Sequence, residues 1–133
     1  MSATIYLEIE LGMPLEDVIK LLEAIPTAVK LGDLRFYIEN SKIEVFVSTP
    51  KNNHPKDVIA EGLEKAKWKV GTIIHFRLGP EGSDVELKDI GLVVNKIITQ
   101  TKFQFVLSFE FEKIYACRDF IIGNIELNSE ISS

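Results

Sequence analysis

Glu8 and Glu10 lie two residues apart, and so do His75 and Arg77. In extended chain each pair points to one side of its strand. Two carboxylates beside an imidazole and a guanidinium can run general acid–base chemistry, one group moving a proton while its neighbour holds charge. The same residues have a plainer explanation. Alternating charge is what the outward face of a half-covered sheet carries, with ion pairs formed across neighbouring strands. No Ser-His-Asp or Cys-His spacing stands near them, so no catalytic residue is assigned and the chain is read as a non-enzyme.

A second cluster is TPKNNHPKD, Thr49–Asp57. Lys51, Asn53 and His54 in it can hold an anion at the start of a helix, where free backbone N–H groups and the helix dipole favour negative charge. Ordinary helix-start chemistry accounts for every residue of the stretch without a ligand and is the preferred reading. Thr49-Pro50 ends a strand, Asn53 or His54 caps, Pro55 sits in the first turn and Asp57 complements the dipole. No glycine is present to cradle a phosphate. Two separate histidines and the single cysteine, Cys117, match no zinc spacing, so neither a metal nor a cofactor is expected.

The elements that must position these groups follow from periodicity. Ile5, Leu7, Ile9 and Leu11 alternate with Thr4, Tyr6, Glu8 and Glu10, the pattern of a half-buried strand. Pro14, the first-turn acids Glu16 and Asp17, and Leu15, Val18, Ile19, Leu22 and Ile25 predict a helix stopped by Pro26. Leu34–Glu39 and Lys42–Val47 alternate about Asn40-Ser41 and predict a hairpin. Val58, Ile59, Leu63 and Ala66 predict a second helix from Pro55 to about Lys67. Val70–Leu78 reads as a fourth strand, closed by Gly79-Pro80.

Strand, helix, strand, strand, helix, strand is the split βαβ order of a ferredoxin-like core. The right-handed crossover rule places its first strand between the third and the fourth. Beyond it, Ser83-Asp84-Val85-Glu86 matches a capping box and leads into Leu87, Ile90, Val94, Ile97 and Ile98, a third helix. Phe103, Phe105, Leu107, Phe109 and Phe111 share one face of a strand that pairs with a last extended segment, Ile114–Leu127. A second unit beginning at Thr72 echoes the one beginning at Thr4, which favours one continuous sheet of five or six strands. The expectation is a single α+β domain over residues 1–127, ferredoxin-like and extended by a third helix and a C-terminal strand pair. Its sheet is mostly antiparallel with helices mainly on one face, and residues 128–133 form a flexible tail.

Charge narrows the partners. The net charge of −5 divides as −4 over residues 1–50, +2 over 51–75 and −3 over 76–133. Only Lys51–Lys69 is basic, so nucleic acid is a poor partner. No apolar run is long enough for a membrane span and no signal peptide begins the chain, which points to the cytoplasm. With both helices on one face, the other face gathers Tyr6, Glu8, Glu10, Tyr37, Glu39, Glu44 and Phe46. Aromatic area among carboxylates suits a basic protein partner, the rings supplying contact and the acids steering it. The leading expectation is a protein-binding module, in its most specific form an inhibitor or immunity protein that occludes a basic toxin or nuclease. The alternatives are a dimeric small-molecule-binding regulatory domain, with its ligand near Gly12-Met13-Pro14, and a small enzyme using Glu8 and Glu10 with His75 and Arg77. A homodimer can also form through the same sheet face.

Overall fold

The computed structural model describes residues 3–40, 42–49, 56–60, 66–78, 84–120 and 123–125. These form β1 (Thr4–Glu10), α1 (Leu15–Glu23), β2 (Ala28–Gly32), β3 (Arg35–Ile38), β4 (Ile43–Ser48), β5 (Lys56–Asp57), β6 (Lys69–Arg77), α2 (Asp84–Gln100), β7 (Phe105–Phe109), β8 (Lys113–Asp119) and β9 (Gly123–Ile125). The protein is α+β. All nine strands join one antiparallel sheet in the order β2-β3-β4-β6-β1-β7-β8-β9, with the two-residue β5 also on β6.

The alternation in β1 does what its period dictates. Ile5, Leu7 and Ile9 are fully buried, and each such side chain contributes roughly 1.5–3 kcal/mol on leaving water. They share a core with Phe36, Ile38, Val45, Val47, Ile74, Phe76, Phe105 and Leu107 from the sheet. Val18, Leu21 and Leu22 of α1 and Ile90, Val93, Val94 and Ile97 of α2 close the same core, so both helices lie on one sheet face.

The ferredoxin-like order is not what forms. β6, rather than β1, is the neighbour of β4, and β1 lies between β6 and β7. The physical reason is the segment expected to be the second helix. Its described residues are extended at Lys56–Asp57 and non-helical at 58–60 and 66–68. β6 returns beside β4 as its antiparallel neighbour, and the described residues between them are extended or irregular rather than helical. Two helices are present among the described residues, and the expected third helix is α2. The sheet is continuous, as the repeat suggested, but two three-stranded ribbons, β2-β3-β4 and β7-β8-β9, flank a central β6–β1 pair. Strand β2 was not foreseen, because it runs along an edge with little burial and therefore shows no apolar alternation.

Two local features fix the frame. At the irregularity in the β1–β6 register, a Cβ on Gly71 would stand 2.6 Å from the Leu11 Cα, so only glycine lets the chain leaving β1 pass. Helix α2 has no basic residue in its last turn. Arg118 of β8 supplies one from a distance, donating to the carbonyls of Ile98 (2.7 Å), Thr101 (2.8 Å) and Phe103 (3.4 Å). A cation on otherwise unpaired C-terminal carbonyls stabilises the helix end. Arg118→Ala is expected to destabilise the fold by about 2 kcal/mol in chemical denaturation, with no change in folded secondary structure.

Candidate functional site

Strand register sorts the second sheet face, away from the helices, into rows. One row runs Cys117, Val106, Glu8, Ile73, Ser48 across β8, β7, β1, β6 and β4. The next runs Ile114, Ser108, Tyr6, His75, Phe46, Arg35. A third carries Thr4, Arg77, Glu44, Tyr37 and Val29. The three rows have different fates.

The first row is core. Val58, Ala60, Ala66 and Trp68 pack on Val70, Val106, Cys117, Ile73 and Ile114 as a second hydrophobic cluster. Trp68 donates its indole N–H to Asp119 at 2.9 Å, and Lys69 pairs with Asp57 at the rim. Glu8 lies beneath this segment with no exposed surface. Its two oxygens accept the backbone N–H groups of Ile59 (2.7 Å) and Ala60 (3.0 Å). Burial pushes the carboxyl above its ordinary value, against the opposing pull of those two hydrogen bonds. The carboxylate read as part of a solvated or catalytic face is thus a buried clasp for the chain above it. Glu10 is engaged as well, accepting from the backbone N–H (2.8 Å) and side-chain amide (3.2 Å) of Gln104.

The second row is a ridge of planar side chains. Phe111 stacks on Tyr6 with ring centroids 3.8 Å apart, and Tyr6 meets His75 edge-on at 5.1 Å. His75 stands beside Phe46 in register, and the Arg35 guanidinium lies 5.0 Å over the Phe46 ring. The four rings are half-buried and Arg35 is exposed. The backbone goes out of its way to present Phe111. In the β7–β8 turn both Glu110 (φ 53°) and Phe111 (φ 62°) are left-handed, a conformation that costs an L-residue roughly 1–2 kcal/mol. Hydrogen bonds hold the turn: Glu110 N–H to the Thr4 carbonyl, Thr4 N–H to the Glu110 carboxylate, and Glu112 N–H to the Phe109 carbonyl.

The third row edges the ridge with charge. Glu44 and Arg77 pair at 3.8 Å and Tyr37 is half-buried, while the exposed Glu39 lies two residues beyond Tyr37, further from the ridge. Of the seven residues expected to meet a partner, Tyr6, Tyr37, Glu44 and Phe46 therefore have exposed surface on or beside the ridge and Glu39 is exposed beyond it, whereas Glu8 is buried and Glu10 is tied to Gln104. Lys51, Asn53 and His54 fall outside the described residues.

The enzyme set does not converge. Glu8 and Glu10 spend their oxygens on backbone and amide donors, and Arg77 on Glu44. The structure does reveal one nucleophile–base contact that the sequence did not suggest, Ser48 Oγ to His75 Nε2 at 2.8 Å. Its spacing of 27 residues gives no local signal. Among the described residues no carboxylate orients the imidazole, so the pair lacks the third member that makes such a serine reactive. No group of three His, Cys, Asp or Glu side chains there can share a metal ion, and no helix is long and apolar enough to cross a membrane.

On the helix face a cleft of about 210 Å³ opens between α1 and the end of α2, lined by Met13, Asp17, Lys20, Leu21, Lys96, Gln100, Thr101 and Phe103. It touches the Gly12-Met13-Pro14 turn. A broader depression continues past Gln100 and Thr101 to Arg118 and the exposed Phe120. Comparison with protein-family models, curated proteins and solved structures returns no match.

Removing the clasp has a local signature. Glu8→Ala is expected to cost about 3 kcal/mol, since one buried and one part-buried N–H group lose their acceptor and a void opens. Amide exchange at Ile59 and Ala60 should rise well above that of the core strands. For His75, burial depresses the pKa below 6.5. Its contribution to stability is therefore complete above pH 6.5 and is lost as pH falls through the lower folded-state value. His75→Gln, which has no proton to gain, should show a flatter melting temperature between pH 7 and pH 5 than the native chain. A parallel decline in both proteins would refute this.

Proposed function

We propose that this chain is a non-catalytic binding module that docks a basic protein on the ridge Phe111–Tyr6–His75–Phe46–Arg35. The observation that carries the reading is the left-handed Phe111, held in a costly conformation and stacked at the end of a row of half-exposed rings. Strain of this kind is retained where surrounding contacts over-determine it, commonly at binding and switch sites. Aromatic and arginine side chains are also those that dominate binding energy at protein interfaces.

Charge supports the basic partner. The molecule carries −5 overall, Glu44 edges the ridge, and the exposed Glu39 lies one row beyond Tyr37. Arg35 ends the ridge and Arg77 pairs with Glu44 beside it, so the carboxylates serve steering and register more than affinity. The most specific form of the proposal is an inhibitor or immunity protein that occludes a basic toxin or nuclease. The proposed surface excludes Glu8 and Glu10 and adds Phe111, His75 and Arg35.

The test separates docking from stability. Native protein and a Phe46→Ala/Glu39→Lys/Glu44→Lys variant, both shown to be folded, are used to capture partners, and the captured protein is then purified and its affinity measured directly. A basic protein bound by the native chain and at least about 100-fold more weakly by the variant supports the proposal. Equal binding by both sinks it. Phe111→Gly sharpens the result, because relief of left-handed strain roughly offsets the aromatic stack, about 1 kcal/mol each. Stability should barely change while affinity falls.

A further inference from the structure

We infer that the cleft between α1 and α2 binds a small molecule that joins an apolar body to an anionic group. The floor is apolar, with Met13 and Leu21 buried and Phe103 half-buried. Its volume of about 210 Å³ exceeds the ~150 Å³ in which an apolar protein cavity accommodates benzene, so a ring with a short substituent fits. The rim is cationic: Lys20 comes from α1 and Lys96 from α2.

The lysines make this more than a hole between helices. Among the described residues, neither ammonium has a hydrogen-bond or ion-pair partner, although Asp17 stands on the same wall three positions before Lys20. Two unpaired cations facing one apolar-floored cleft on an acidic protein favour an anion there, with Gln100 and Thr101 as further polar groups on the wall. The adjoining depression is the weaker site. Its arginine, Arg118, already serves three carbonyls, and its apolar side chains Ile98 and Phe120 are widely exposed. The cleft is on the helix side of the sheet, away from the ridge, so it stands or falls independently of protein docking.

The test titrates the protein with 3-phenylpropionate, phenyl phosphate and the neutral 3-phenylpropionamide, following the Met13 methyl and Phe103 ring signals by NMR. Saturable shifts with at least one anionic probe, weakened about ten-fold in Lys20→Gln/Lys96→Gln, are expected. The tighter of the two anions tells whether the site prefers a carboxylate or a phosphate. Lys20 is exposed and Lys96 half-buried at the rim, and glutamine keeps most of the stem, so the variant should fold, and an unchanged amide spectrum confirms it. No shift with either anion, equal binding of the amide, or undiminished binding by the variant overturns the inference.

Discussion

Glu8 decides which part of the second sheet face is interior and which is surface. Its carboxylate has no exposure, and its two oxygens hold the N–H groups of Ile59 and Ala60 above it. A buried carboxylate is costly without such partners, and a buried backbone N–H is costly without an acceptor. Each therefore supplies what the other lacks. The segment pinned there brings Val58, Ala60 and Trp68 onto Val106 and Cys117. Two residues along β1, Tyr6 carries no such cover and becomes part of the ridge.

Core and surface thus meet within a single strand. The rigidity of the ridge derives from this. Tyr6 sits on a central strand of the sheet, flanked by β6 and β7, and His75 and Phe46 continue outward on strands that also contribute Phe76 and Val45 to the main core. Rings mounted on such strands lose little further freedom when a partner covers them, which lowers the entropic cost of association. The opposite helix layer is built differently, with a cleft where α1 and the end of α2 diverge.

Much of the architecture was legible in the chain. Strand β1, the β3–β4 hairpin and β6 show clean alternation because one side of each is core, and α1 and α2 show helical spacing for the same reason. The residues that mislead are informative. Val58, Ile59 and Ala66 have helical spacing, yet Val58 and Ala66 pack in irregular chain on a sheet, held through partners distant in sequence, Glu8 on Ile59 and Ala60 and Asp119 on Trp68. Sequence patterning reports that a residue is buried, not what buries it. Strand order failed for that reason. The ridge was half legible: Tyr6 and Phe46 were visible as outward aromatics, but Phe111 looked like a core residue by alternation with Phe109. Only the left-handed turn, from residues that carry no glycine or asparagine signal, swings it to the other side.

The central position of β1 has a consequence for how the molecule is made. Ile5 pairs with Phe76 on one side and Phe109 on the other, so this strand finds its second partner only after about a hundred further residues have been made. At roughly 5–20 residues per second, β1 waits on the order of 4–14 s for β6 and on the order of 5–20 s before its second edge is paired. Contacts this distant in sequence also slow folding of the released chain. Glu8 and Glu10 gain a further part during that interval: charges within a strand of isoleucine and leucine discourage it from pairing with another nascent chain. The carboxylate that ends as a clasp begins as a gatekeeper.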